Sequence, residues 1–373
     1  MRTADVIVVG GGAIGGAVAW SLAREGARVA LLERDGLASR ASGAAAGMLI
    51  PVGEGRAPGA FLRWGLRSLA LFPEVAAALR DATGIDVEYE PSGALYLAAS
   101  QEEALRLRAR AEALPGLDLE WLDAAAARDA EPRLAAGIAG ALWSPREAHV
   151  RSPLLARAYA AAAEALGARV ETGAAVGGLL RRGSRVVGVR TPAGEWQAPQ
   201  VVLCTGAWAG DCAGWIGGEP LPVEPLRGQI ACLEAPRPAP GRMLVAESAY
   251  LVPKRDGSLV VGATEERVGF DCRVTAGGVA GLLAAARRVV PVLADAGFRS
   301  AWAGLRPASP DGLPLVGAHP GVEGLAVAVG HTRNGVLLSP VTGRLVADLL
   351  LGKEVPADAS AFSPLRFGEA PRR

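Results

Sequence analysis

The chain has 373 residues, of which 50% are hydrophobic and 21% charged, a composition typical of a globular protein long enough for two domains. Its 39 basic residues balance 38 acidic ones without a long block of either sign, so neither a nucleic acid nor a charged membrane surface is the expected partner. The four cysteines and three histidines show no metal-binding spacing, so we expect no metal site and buried, reduced thiols in a cytoplasmic protein.

An uncharged run near the N-terminus, residues 6–23, superficially resembles a secretory signal. Asp5 lies where such a signal is basic, and five glycines interrupt the run, which suits neither a signal peptide nor a membrane-spanning helix. A strand, a tight turn and a helix explain the same residues better.

A glycine-rich turn follows the first predicted strand, residues 5–9. Gly10, Gly12 and Gly15 have the G-x-G-x-x-G spacing, and residues 17–25 are predicted to be helical. Gly10 permits a tight turn, Gly12 lets a pyrophosphate approach the backbone, and Gly15 lets helix and strand pack closely. The free N–H groups of a helix start favour phosphate oxygens, so this segment predicts a nucleotide site.

The second predicted strand, residues 27–32, ends at Glu33, which stands 23 residues after Gly10. An acid at this position binds the ribose hydroxyls of an adenosine and repels the 2′-phosphate of NADP. The turn therefore predicts a dinucleotide cofactor but does not distinguish FAD from NAD.

Four further stretches decide between these cofactors. They are 41–49 (ASGAAAGML), 201–208 (VVLCTGAW), 302–314 (WAGLRP leading to DGLP) and 325–337 (LAVAVGHTRNGVL). Together with the glycine turn they resemble the D-amino-acid-oxidase family of FAD-dependent enzymes, over about residues 4–355. Within that family the combination is most similar to the glycine oxidase branch, which serves thiamine biosynthesis.

The resemblance implies an α/β fold in which a Rossmann-like FAD-binding domain is interleaved with an α+β substrate domain built on an antiparallel sheet. The FAD domain would comprise residues 1–85, 150–218 and 300–373, and the substrate domain residues 86–149 and 219–299. The sequence agrees in two places. Residues 101–136 have a helical composition, and residues 248–253 and 258–262 are typical of strands. We expect only the last residues, 369–373, to be disordered.

The resemblance also assigns the chemistry. Arg306 would grip the substrate carboxylate with a two-pronged ion pair, and Tyr250 would help hold it and close the pocket. Arg333 would touch the carboxylate or fix its loop. Oxidation at Cα needs little acid–base machinery, because the main task is to hold Cα over the flavin.

FAD would be bound without a covalent bond, because no cysteine lies in residues 301–305, near the position at which sarcosine-oxidase relatives attach their flavin. Residues 331–337 would meet the flavin ring through their backbone, with a helix start near its pyrimidine end. The complete set of expected FAD neighbours is Gly10, Gly12, Ala13, Ile14, Gly15, Glu33, Arg34, Ala41, Ser42, Ala46, Gly47, Met48, Val176, His331, Thr332, Arg333, Asn334, Gly335, Val336 and Leu337.

The implied reaction is oxidative deamination of glycine by O2, with sarcosine or small D-amino acids as further substrates, in a homotetramer. Near the expected pocket, Glu265 and Ser248 stand where the glycine oxidase pattern has an apolar residue and a histidine. The sequence therefore does not determine which amine is the preferred substrate. Three alternatives remain: a dehydrogenase of the same fold that reduces a quinone, a tRNA-modifying flavoprotein, and a flavin-binding sensor. The first would need a membrane contact and the second a basic face.

Overall fold

The structure is a computed structural model and describes residues 2–54, 59–235 and 239–367. The helices in these ranges are α1 (Ala13–Arg24), α2 (Ala41–Ala44), α3 (Pro51–Glu54), α4 (Ala60–Thr83), α5 (Gln101–Ala113), α6 (Ala124–Ala130), α7 (Ser152–Ala165), α8 (Ala213–Ile216), α9 (Ala276–Val289) and α10 (Ser339–Leu350). The strands are β1 (Arg2–Thr3), β2 (Val6–Val9), β3 (Val29–Leu32), β4 (Met48–Leu49), β5 (Ala94–Ala98), β6 (Glu120–Asp123), β7 (Gly140–Ser144), β8 (Ala148–His149), β9 (Arg169–Glu171), β10 (Gly178–Arg182), β11 (Arg185–Thr191), β12 (Gly194–Gln197), β13 (Gln200–Leu203), β14 (Glu224–Glu234), β15 (Met243–Val245), β16 (Tyr250–Pro253), β17 (Ser258–Gly262), β18 (Phe298–Ala308), β19 (Leu315–Ala318) and β20 (Leu325–Val329).

A six-stranded sheet carries the glycine turn. Its order is β19-β20-β13-β2-β3-β9, and all its pairs are parallel except β19 with β20. Side chains of a strand alternate between its two faces. Val6 and Val8 therefore join the core beneath α1, α7 and α10, whereas Ile7 and Val9 join a second core shared with the sheet β1-β12-β11-β10.

An eight-stranded sheet forms the other half of the molecule. Its order is β18-β14-β17-β16-β15-β5-β7-β6, and every pair is antiparallel except β15 with β5. One face packs against α9 through residues such as Leu251 and Val261. The opposite face, which carries Tyr96 and Val260, packs against the segment around Ile50. The predicted α/β fold with an antiparallel substrate-side sheet is confirmed.

Three local expectations differ from the structure. Helix α1 begins at Ala13, four residues before the predicted start, because its first turn follows the glycine turn directly. The stretch 101–136 is not helical throughout, since β6 pairs with β7 between α5 and α6. Cys272 is exposed, so it is not one of the buried thiols that we expected, whereas the other three cysteines are buried.

The domain limits remain a prediction. The long strand β18 crosses the limit placed at residue 300, where it is paired with β14 along nearly its whole length. The expectation for residues 369–373 lies outside the described residues. No helix in the described ranges has both the length and the apolar character needed to cross a bilayer, and no cluster of three His, Cys, Asp or Glu side chains suited to a metal occurs in them.

Candidate active site

One cavity of about 700 Å³ connects the two large sheets. It begins at the glycine turn after β2 and continues to the inner face of the eight-stranded sheet, where Arg306 and Tyr250 line it. Every expected FAD neighbour lines this cavity except Gly15 and Leu337. Leu337 is instead a core residue whose carbonyl accepts a hydrogen bond from Ser68. The structure thus brings together residues that are widely separated in the sequence.

The glycine turn is shaped by two close approaches. Gly10 has φ +113°, and a Cβ there would lie 2.4 Å from the carbonyl oxygen of Cys204. A Cβ on Gly15 would lie 1.8 Å from the carbonyl oxygen of Gly10. Neither position tolerates a side chain without moving the backbone, so Gly15 acts by packing α1 against the turn rather than by lining the cavity.

The start of α1 faces the cavity without a side-chain cap of its own. The N–H of Ala13 donates to Ser42 Oγ at 2.9 Å, and the carboxylate of Glu33 accepts the N–H of Gly11 at 2.6 Å and that of Asp35 at 2.8 Å. The start of α1 and a strand-end acid therefore lie at the end of the cavity where a dinucleotide would place its pyrophosphate and a ribose. These residues fit FAD.

An aromatic residue that sequence reasoning did not include also lines this end of the cavity. Trp208 lies beneath the guanidinium of Arg34 at 4.6 Å and that of Arg40 at 5.5 Å, and both arginines pair with Asp35. Val176 lines the same region. The sequence feature that could have identified this residue is the tryptophan that ends the TGAW segment.

The small-residue stretch 41–49 is fixed through its backbone carbonyls. Trp302 Nε1 donates to the carbonyl of Ala44 at 2.9 Å, and Lys254 Nζ donates to that of Ala46 at 2.7 Å. Both donors come from the eight-stranded sheet, so small side chains let the two halves of the molecule meet at the cavity.

The turn 331–338 joins the cavity to the end of β18. The N–H of Thr332 donates to the carbonyl of Pro307 at 2.8 Å. Burial lowers the pKa of His331 to about 3, and its Nε2 lies 3.1 Å from Thr342 Oγ1. The helix start expected beside the flavin belongs to α10, which begins at Ser339, after this turn.

Arg306 projects from β18 across its partner strand. A Cβ on Gly228 of β14 would lie 2.3 Å from Arg306 Nη2, so the guanidinium lies directly over a glycine. Its Nη1 donates to the carbonyl of Thr264 at 3.1 Å and that of Arg227 at 3.4 Å. Burial lowers the pKa of Arg306 from its usual value, and no carboxylate of the described chain lies within 4.0 Å of it.

Tyr250 stands beside Arg306 in the cavity wall. A Cβ on Gly262 of β17 would lie 2.3 Å from the phenol oxygen. Burial raises the pKa of Tyr250 to about 12, although the charge of the nearby Arg306 guanidinium acts to lower it, so the phenol is neutral at physiological pH. A cation and a hydroxyl with O–H to donate therefore face the same space.

A partly buried network of ion pairs supports Arg306 from behind. Arg227 is 4% exposed and pairs with Glu266 and, at 3.1 Å, with Asp271. Gln229 donates to Glu266 Oε1 at 2.7 Å. The hydrogen bond from Arg227 holds the pKa of Glu266 at about 2. The loop that offers the Thr264 carbonyl to Arg306 is thereby fixed.

Arg333 differs from Arg306 because it already has acidic partners. Its Nη2 lies 3.1 Å from Glu54 Oε2 and its Nη1 lies 3.7 Å from Glu265 Oε2. Glu265 and Ser248 are exposed and line the cavity, as the sequence led us to expect of pocket neighbours. The sequence analysis did not identify Glu54 as a site residue, because it lies after the stretch 41–49 and belongs to no recognisable motif.

The chain is similar to known flavoproteins along most of its length. The model of a family described as FAD dependent oxidoreductase matches residues 5–349. The glycine oxidase of Geobacillus kaustophilus is 40% identical over 366 residues, which are 97% of this chain and 97% of that protein. A crystal structure of glycine oxidase from Geobacillus kaustophilus superposes with a TM-score of 0.95, covering 98% of this chain and 99% of that one.

A longer relative is also similar. The bifunctional protein ThiO/ThiG of Trichormus variabilis is 38% identical over 371 residues, which are 98% of this chain. The chain spans about half the length of that relative, 55% of it.

Proposed function

We infer the function of this protein from a premise that the family match supplies: the chain belongs to the family of FAD-dependent oxidoreductases. We propose that it oxidises glycine. In the reaction, glycine, O2 and water give glyoxylate, ammonia and hydrogen peroxide, with two electrons passing from the Cα–H bond to oxygen. Sarcosine and small D-amino acids are the further substrates that the same site would take.

The observation that carries the proposal is the isolated charge of Arg306. Its guanidinium faces the cavity, and burial weakens its hydration. Its hydrogen-bond partners within the described chain are two backbone carbonyls, both of which are neutral. A desolvated cation without a counter-ion favours binding of an anion, and the planar fork of arginine matches a carboxylate. The Tyr250 hydroxyl would donate to the same carboxylate.

Residues at the opposite end of the cavity, near the glycine turn, would hold the cofactor. The N–H groups at the start of α1 would bind the pyrophosphate, and Glu33 would bind ribose hydroxyls, while Trp208 and Val176 line the same space. FAD supplies the chemistry of two-electron acceptance from Cα and transfer to O2. The protein positions the substrate, because its carboxylate is fixed by Arg306 while the amine points away from it.

The decisive experiment is an oxygen-electrode screen of the FAD-loaded protein. Glycine, sarcosine, D-alanine, D-proline and glycolate are compared, and peroxide is measured in parallel. We expect oxygen uptake with glycine and equal peroxide release. Turnover of glycolate with none of the amines would refute the proposal, and amine oxidation by an artificial acceptor without peroxide would favour the dehydrogenase alternative.

The cellular setting is part of the proposal. We propose a cytoplasmic homotetramer whose imine product feeds thiazole formation in thiamine biosynthesis, as the resemblance implies and as the fused arrangement of the bifunctional relative supports. Light scattering coupled to size exclusion tests the tetramer. A monomer at micromolar concentration would contradict it.

A further inference from the structure

Glu265 gives the cavity a negative charge that is not fully neutralised. Arg333 has two carboxylate partners: Glu54 Oε2 lies 3.1 Å from its Nη2, and Glu265 Oε2 lies 3.7 Å from its Nη1. Glu54 is the closer and more buried partner, with 15% of its side chain exposed against 57% for Glu265. Among the described residues, no other cation lies within 4.0 Å of Glu265. Two carboxylates and one guanidinium therefore leave one negative charge in excess, and Glu265 carries it.

The backbone on both sides of Glu265 is anchored to β14. The N–H of Gln229 donates to Thr264 Oγ1 at 2.8 Å, and Gln229 Nε2 donates to Glu266 Oε1 at 2.7 Å. Glu266 also exchanges two backbone hydrogen bonds with Arg227, at 2.9 Å and 3.0 Å. Successive side chains of an extended chain point to opposite sides. Because Thr264 and Glu266 both face the buried Gln229, the side chain between them faces the cavity, and Glu265 lines it.

Two backbone links place Glu265 close to Arg306. The carbonyl of Thr264, the residue before Glu265, accepts a hydrogen bond from Arg306 Nη1 at 3.1 Å. Arg333, the partner of Glu265, belongs to the turn that is tied to β18 through the carbonyl of Pro307. The carboxylate of Glu265 nevertheless lies more than 4.0 Å from the Arg306 guanidinium, so the two do not form an ion pair. An uncompensated cation and an uncompensated anion therefore line the same cavity without pairing with each other.

Resting on the proposed amine oxidation, we propose that Glu265 determines specificity by charge: it favours amino acids with a cationic side chain and disfavours those with an anionic one. Arg306 would hold the carboxylate common to all these substrates, while the excess charge of Glu265 acts on the group that the substrate carries at Cα. Unlike charges attract and like charges repel across the cavity. The reaction is unchanged, because each D-amino acid, O2 and water give a 2-oxo acid, ammonia and hydrogen peroxide, as glycine does.

The test compares substrates of matched shape that differ in one charge. D-2,4-diaminobutyrate is paired with D-norvaline, in which a methyl group replaces the ammonium, and D-aspartate is paired with D-asparagine. The ratio of kcat/KM within each pair is measured in the FAD-loaded enzyme, so that effects on the amine and carboxylate common to both members cancel. For a pair with a member that is not oxidised, competitive inhibition constants against glycine give the same ratio.

Three variants isolate the charge of Glu265. Glu265→Gln removes it and keeps the shape of the side chain, whereas Glu265→Asp keeps the charge. Glu224→Gln is the matched control, because Glu224 is an exposed glutamate that pairs with Arg267 at 2.6 Å and does not line the cavity.

We expect Glu265→Gln to lower the preference for the cationic member of its pair, and to raise that for the anionic member, by about three- to fivefold each, which is within the range of an exposed charge pair. Glu265→Asp should retain the wild-type ratios, and added salt should change the ratios of the wild type more than those of Glu265→Gln. Equal ratios in Glu265→Gln and the wild type, or the same change in Glu224→Gln, would overturn the inference. Absence of glycine oxidation in the wild type would refute the proposed function instead.

Discussion

Arg333 and Glu54 form an ion pair of 3.1 Å at the wall of the cavity, so the guanidinium of the 331–338 turn is already neutralised before any substrate binds. Arg306, which lines the same cavity, donates hydrogen bonds only to neutral backbone carbonyls among the described residues. The two arginines that sequence reasoning placed together at the substrate therefore have different tasks, and their variants should behave differently.

Replacing Arg333 with alanine should have a modest effect. Its side chain is 47% exposed, and an exposed ion pair contributes ~0–1 kcal/mol. We expect kcat/KM for glycine to fall by less than about fivefold. Steady-state oxygen uptake checks this. A loss as large as that of an Arg306 variant would instead assign Arg333 to the substrate carboxylate.

Replacing Arg306 with alanine should raise KM for glycine strongly while FAD stays bound. Removing one partner of a desolvated charge pair costs ~2–5 kcal/mol, which is a factor of about 30 or more in affinity. Flavin absorbance and oxygen uptake are measured together. Arg299→Ala, on the exposed part of the same strand, is the matched control and should match the wild type. Unaltered glycine kinetics in Arg306→Ala would refute the assignment.

Gly15→Ala should prevent FAD binding. The new Cβ would lie 1.8 Å from the carbonyl oxygen of Gly10, so α1 or the turn must move away from the pyrophosphate position. Gly36→Ala is the control, because nothing lies within 4 Å of the position that its added methyl group would take, and its φ is not in the left-handed region. The flavin-to-protein absorbance ratio measures the outcome. Full flavin content in Gly15→Ala would contradict this packing role.

FAD should be released completely by acid. The cysteines at the cavity, Cys204 and Cys212, are buried, and burial raises the pKa of both thiols, that of Cys212 to about 11. They remain protonated and poorly nucleophilic at neutral pH. After trichloroacetic acid precipitation the yellow colour should be in the supernatant. Flavin retained in the pellet would demonstrate a covalent bond.

Glu147 should make the protein less stable as the pH rises. It is 1% exposed, and burial raises its pKa to about 8, although Tyr96 and the N–H of Val52 donate to it. Between pH ~4.5 and ~8 the native state holds a proton that the unfolded state has lost, so stability falls by up to ~1.4 kcal/mol per pH unit. Denaturant unfolding of Glu147→Gln against the wild type isolates this slope. Parallel pH profiles would contradict it.

Much of the cofactor-binding half of the molecule could be predicted from the sequence, because the residues that form the glycine turn lie close together along the chain. A glycine with φ +113° and a strand of buried residues followed by a helix are encoded within about 25 consecutive residues, and the acid Glu33 ends the next strand. The spacing of these features alone fixes a dinucleotide turn. The choice of FAD and of Arg306 needed resemblance to a family, since spacing does not distinguish the cofactors.

The pairing of the charged side chains that line the cavity was decided only by the tertiary structure. Glu54, Arg306 and Arg333 lie in different segments of the chain, and nothing in the sequence indicates that Glu54 pairs with Arg333 rather than with Arg306. Ion pairing depends on distance in space and on the exposure of each partner, and both are fixed when the two sheets close around one cavity. The sequence alone determined the phosphate-binding turn, whereas the fold determined which arginines remain free to bind a carboxylate.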